Sequence, residues 1–149
     1  MFWLEDGLPT SLAPGRRPRT TLSPPLASFE GHPSLSFGTP GGDQQNQWQL
    51  IFFLRLAHGE SNLQALIDAP LFHSLPFRGS FAPRVATPGQ MMIEPAYGDA
   101  VIAGLRTRGH RVEVAEPWSI GRFTAAQRDQ SGLLKAATPR LTQAYAAGR

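Results

Sequence analysis

Cysteine is absent from the 149 residues. Disulfides, thiolate-held metals and a cysteine nucleophile are thereby excluded. Lysine is almost absent: of 14 basic residues, Lys135 alone is not arginine. No apolar run approaches the roughly 20 residues that a membrane-spanning helix needs. The opening Met1-Phe2-Trp3-Leu4-Glu5-Asp6 lacks the basic and apolar regions of a signal peptide. The four histidines (His32, His58, His73 and His110) include no pair at the i, i+4 spacing of a helical zinc site, so no metal is expected. There is no Gly-x-Ser-x-Gly elbow, and Gly38 to Gly42 lacks the Lys-Ser/Thr that completes a phosphate loop. The 11 acidic residues are scattered and form no paired-carboxylate constellation. The net charge of +3 comes from dispersed arginines, apart from Arg16-Arg17-Pro18-Arg19 and Arg106/Arg108/Arg111. No recognised nucleic-acid motif accompanies them, so no nucleic-acid partner is expected.

What is present suits a folded chain: 41% of the residues are hydrophobic and 9% aromatic. The 14 prolines and 15 glycines crowd the first 42 residues and the region around 76–98, which read as irregular. No repeat or long linker divides the chain, so 1–149 is expected to be a single domain. Phe2, Trp3 and Leu4 start it abruptly with large apolar side chains, as if it began partway through a larger fold. Leu35 and Phe37 alternate with Ser34 and Ser36 and predict the second arm of a hairpin that turns at Gly31. A helix is expected over about Asp43–Ala57, apolar on so many sides that much of it should be buried. Asn62 should cap a short helix over Leu63–Ala69, stopped by Pro70. Further expected elements are strands at Leu71–His73 and Gln90–Glu94, a helix at Gly98–Arg108, and a half-buried strand at Arg111–Ala115. A last hairpin, Phe123–Asp129 with Leu133–Ala137, precedes a tail from Thr138 to Arg149.

The corner Gly38-Thr39-Pro40-Gly41-Gly42 carries the most chemistry. Pro40 fits just ahead of a helix, and Gly41 and Gly42 put unobstructed backbone N–H groups near its positive end. Such an arrangement can hold an anion or a developing oxyanion. It can equally be an ordinary strand–turn–helix corner in which glycine serves backbone geometry. Thr20 and Thr21 offer adjacent hydroxyls suited to a carboxylate, or to bonding their own loop backbone.

Taken in order, four stretches resemble the γ-glutamyltranspeptidase family. They are Ala13-Pro14-Gly15-Arg16-Arg17-Pro18-Arg19-Thr20-Thr21-Leu22-Ser23-Pro24, Gly38 to Gly42, Asn62 to His73, and Leu105 to Val112. Arg128-Asp129, Gly132 and Pro139-Arg140 close the series. The form of Gly42 to Gln49 is similar to the bacterial acylase-like branch. The resemblance implies an α+β fold: part of an N-terminal-nucleophile hydrolase αββα sandwich, mostly antiparallel strands with two main helices. It implies γ-glutamyl acyl transfer or hydrolysis without a cofactor, by a threonine freed when a precursor cleaves itself. Gly41 and Gly42 match the oxyanion-hole pair. Thr20 and Thr21 match the hydroxyl pair that holds the α-carboxylate, where many members have Ser-Ser.

The match covers only the C-terminal part of the small subunit. The nucleophilic Thr is expected upstream of Met1, so the implied partners are a large subunit and the N-terminal half of the small subunit. On that expectation the chain alone is inactive. A non-catalytic γ-glutamyl or amino-acid binding module, or a truncated remnant, stays open as an alternative. Localisation, cytoplasmic or periplasmic, is left open.

Overall fold

Glu30 and Gly31 both adopt positive φ, 49° and 80°. They form a two-residue turn whose twist suits a tight hairpin. It joins β1 (Leu26–Phe29) to β2 (His32–Gly38). In this computed structural model, which describes residues 1–140, β2 also pairs with β6 (Thr124–Arg128), and β6 with β7 (Leu134–Ala137). The sheet is antiparallel throughout, in the order β1-β2-β6-β7.

The alternation in β2 sends Leu35 and Phe37 into the core and Ser36 to solvent. Helix α1 (Gln45–Ala57) lays Phe52 over that face. Phe52 is fully buried, with its ring 4.7 Å from Phe37 on one side and 5.0 Å from Phe123 on the other. Burying each such ring contributes about 1.5–3 kcal/mol. Helix α2 (Leu63–Asp68) adds Leu63, Leu66 and Ile67 to the same core. As the sequence suggests, Asn62 caps it, accepting from the N–H groups of Gln64 and Ala65 at 3.0 Å each.

A second sheet has the order β3-β4-β5: β3 is Phe72–Ser74, β4 Gln90–Ile93 and β5 Arg111–Val114. β3 and β4 are antiparallel, whereas β4 and β5 are parallel. The crossover between the parallel strands carries α3 (Asp99–Thr107), which buries Ile102. Among the described residues no helix is long and apolar enough to cross a membrane.

Two expectations change. Helix α1 is not buried on much of its surface: Leu50, Phe53 and Leu54 are 57%, 43% and 43% exposed. Its buried residues, Trp48, Gln49 and Phe52, lie on the side that meets the sheet, and nothing among the described residues packs on the other side. Strand β5 is less buried than its alternation suggests, because it is an edge strand, and Val114 is 43% exposed. At the other end of the chain, Trp3 is half-buried: the Arg84 guanidinium lies 4.1 Å from its ring centroid. The expected tail past Arg140 falls outside the described residues.

Candidate active site

The glycine corner joins β2 to α1, but its glycines precede the helix. The N-cap is Gln44, so Gly42 stands two residues before it and Gly41 three. The helix field, which falls off within the first turn, is therefore a smaller influence on the corner than the sequence suggests. Local bonds set its geometry instead. Gln45 Nε2 donates to the Gly41 carbonyl at 2.9 Å, and the Thr39 hydroxyl donates to the Pro40 carbonyl at 3.0 Å. Neither the Gly41 nor the Gly42 N–H has an acceptor among the described residues.

Trp48 supports Gly41 from behind. A Cβ on Gly41 would lie 2.5 Å from Cζ3 of Trp48, and φ there is +154°. Only glycine lets the backbone come this close. Trp48 is itself held in place. Its Nε1 donates to Nδ1 of buried His73 at 3.3 Å, and Gly121 backs the same ring. Burial holds the His73 imidazole below its ordinary pKa, against a weaker opposite pull from Glu113. His73 is therefore neutral near pH 7 and able to accept this bond.

The threonine pair is held close to this corner. Thr20, Thr21, Arg19, Leu22, Gly42, Asp43 and Asn46 line one cavity of about 220 Å³. Gly41 is not among its lining residues. Two attachments bracket the pair. Arg19 Nη2 meets Asp43 Oδ1 at 3.2 Å, and Ser23 exchanges two 2.7 Å hydrogen bonds with buried Gln49. The Thr20 Oγ1 accepts from the Leu22 N–H at 3.1 Å, the local loop bond that the sequence left open. That bond uses a lone pair and leaves the hydroxyl proton free to donate.

Asp43 joins the loops around the cavity. Burial opposes its ionisation, but the Ser80 hydroxyl, the Ser80 N–H at 2.7 Å and Arg19 outweigh that and hold its carboxyl below the ordinary value. On the opposite side of the corner, the Thr39 hydroxyl accepts from the Arg122 N–H at 2.7 Å. The loop carrying Arg122 is fastened by buried Glu94, whose two carboxylate oxygens take the N–H groups of Leu71 (2.9 Å) and Ile120 (3.1 Å). A cavity of about 640 Å³ opens at the ends of the two hairpins, and none of the candidate residues lines it.

Sequence reasoning missed this supporting set: Asp43, Gln45, Trp48, Gln49, His73, Ser80 and Glu94. One signal was available in the amide-rich run Gln45-Asn46-Gln47-Trp48-Gln49. Alternate amides tie down different segments: Gln45 holds Gly41, Gln47 bonds the Ser74 backbone at 2.9 and 3.0 Å, and Gln49 holds Ser23.

This architecture, an antiparallel four-stranded sheet and a mixed three-stranded sheet with helices packed on them, is part of the fold of the N-terminal-nucleophile hydrolases. The solved cephalosporin acylase from Bacillus halodurans is similar over 93% of the chain and 24% of its own, with 26% identity and a TM-score of 0.77. The solved structure of LmbA2991 is more similar still, with 53% identity and a TM-score of 0.91 over 100% of this chain and 27% of that one. Among curated relatives, the oxamate amidohydrolase proenzyme of Klebsiella pneumoniae subsp. pneumoniae is 33% identical over 93% of the chain and 25% of its own length. The sequence model for gamma-glutamyltranspeptidase matches residues 2–148, and the chain belongs to that family. It spans about a quarter of the length of these relatives.

Proposed function

We propose that residues 1–149 supply the oxyanion and carboxylate-binding half of a site that transfers or hydrolyses γ-glutamyl groups or a related acyl side chain. The observation that carries this reading is the meeting of Thr20, Thr21 and Gly42 around one cavity of about 220 Å³. The N–H groups of Gly42 and of its neighbour Gly41 have no acceptor among the described residues. In this reading the hydroxyls of Thr20 and Thr21 donate to the substrate's α-carboxylate. The two amides stabilise the negative charge that develops on the carbonyl oxygen as a nucleophile attacks. The acyl group then passes to water or to an amino acid.

A nucleophile, its base and oxyanion donors are all needed for this chemistry. These residues offer the donors. By the family resemblance, the threonine nucleophile and its own α-amine belong to the N-terminal half of the small subunit, and a large subunit completes the pocket. The chain alone is therefore expected to lack γ-glutamyl transferase activity.

The test is a γ-glutamyl-anilide assay on the purified chain, alone and mixed with both missing parts: the large subunit and the N-terminal half of the small subunit with its terminal threonine. No release of aniline by the chain alone and release by the mixture support the reading. Clear turnover by the chain alone refutes the division of the site. Calorimetry with glutamate adds a second measurement: heat of binding that disappears in Thr20→Val and Thr21→Val supports the carboxylate role. Unchanged heat in both variants refutes that role.

A further inference from the structure

The two candidate donors belong to peptide units whose opposite ends are both held. In a trans peptide, the carbonyl of one residue and the N–H of the next point in opposite directions. The only cis bond among the described residues is Ala82–Pro83, so both peptides at the corner are trans. The Pro40 carbonyl shares its plane with the Gly41 N–H, and the Thr39 hydroxyl donates to it at 3.0 Å. The Gly41 carbonyl shares its plane with the Gly42 N–H, and Gln45 Nε2 donates to it at 2.9 Å.

We propose that Thr39 and Gln45 are positioning residues that aim the Gly41 and Gly42 amides by holding the carbonyls on the far side of the same two peptides. This rests on the reading of those amides as oxyanion donors. Glycine flanked by glycine has little preference of its own between peptide orientations. Without an anchor the Gly41–Gly42 plane could rotate and turn its N–H away. The two anchors differ in kind. Thr39 is buried, and its oxygen also accepts from the Arg122 N–H at 2.7 Å, which fixes the hydroxyl proton toward Pro40. Gln45 is half-exposed and occupies the first residue of α1, so the helix start carries the second anchor. Neither side chain lines the cavity, so neither is expected to touch substrate.

Residual dipolar couplings of the Gly41 and Gly42 N–H bonds, measured on the aligned chain, report bond direction without any need for turnover. Gln45→Ala is expected to change the Gly42 coupling and to leave couplings in α3 and β6 unaltered. Thr39→Val is expected to change the Gly41 coupling, and Thr39→Ser, which restores the hydroxyl, to return it to the original value. Unchanged glycine couplings in Gln45→Ala overturn the proposal. So does an equal change throughout the molecule, which would show general loosening. Should Thr39→Val fail to fold, Gln45→Ala on the half-exposed side chain still decides the matter.

The assembled enzyme gives a second measurement, in which Gln45→Ala is expected to lower kcat about ten- to a hundredfold at unchanged KM, somewhat less than deleting a donor. A change in KM alone overturns the proposal. Absence of turnover in the unmodified assembly defeats the functional reading instead, and leaves the dipolar couplings to judge the anchors.

Discussion

Replacing Gly41 with alanine puts a methyl group where Trp48 already sits. The added Cβ would lie 2.5 Å from Cζ3 and 3.2 Å from Cη2 of that ring, whereas carbon atoms prefer about 3.5–4.0 Å. The indole has little room to retreat. It is buried, bonded through Nε1 to His73 at 3.3 Å, and backed by Gly121. Overpacking and the left-handed φ together should cost about 2–5 kcal/mol. For a chain of this size that corresponds to a fall in Tm of roughly 5–20 °C. Gly42→Ala is the internal control. Its Cβ would approach Phe81 Cε2 at 3.0 Å, but Phe81 is 56% exposed and can swing aside. The control should cost under about 1 kcal/mol. Urea denaturation followed by circular dichroism measures both. Gly41→Ala should cost less in a Trp48→Phe background than in the original chain, since the shorter ring withdraws from the contact. Equal destabilisation by the two alanines, or the same cost of Gly41→Ala in both backgrounds, would refute the steric account of Gly41.

Glu94→Ala leaves the N–H groups of Leu71 and Ile120 unpaired in the interior, and should cost about 2–5 kcal/mol by urea denaturation. Asn62→Ala removes both cap bonds of α2 and should cost about 1 kcal/mol, with amide exchange faster at Gln64 and Ala65. The folded pKa of His73 lies below 6.5, so its contribution is present above pH 6.5 and is lost as pH falls through the lower folded value. The Trp48 indole N–H resonance should shift over the same range, and a shift only above pH 6.5 would contradict this. The carboxyl of Asp129 is lowered to about 2, chiefly by the Ser131 hydroxyl; desolvation opposes this, and Lys135 and the Leu133 N–H add to the lowering. Its support of the β6–β7 turn should persist above pH 3.8 and fade as pH falls toward about 2, seen as faster exchange of the Leu133 amide.

Local pattern made much of the fold legible. Period-two alternation located β2, and Asn62 followed by an apolar run located α2, because those signals depend on near neighbours. Burial was harder to read. Leu50, Phe53 and Leu54 look like core residues in any helical pattern, yet whether they are covered depends on what packs against α1. At the corner, the residue pattern led to Gly41, Gly42, Thr20 and Thr21. It did not lead to the side chains that hold them in place. Trp48 with His73, and Arg122 with Thr39, are separated by 25 and 83 positions. Glu94 shows the same gap between sequence and structure, because a lone acid in a strand-like run gives no hint of two buried amide partners.

Glu94 also gives the three-stranded sheet a share in the corner's fate. Its carboxylate fastens the loop that delivers the Arg122 N–H to Thr39, and Thr39 reaches Pro40 next to Gly41. The small sheet and the glycine turn are thus joined by one continuous run of hydrogen bonds. A lesion at Glu94 should first blunt the aim of the distant amides and only later, at higher temperature, dissolve the fold.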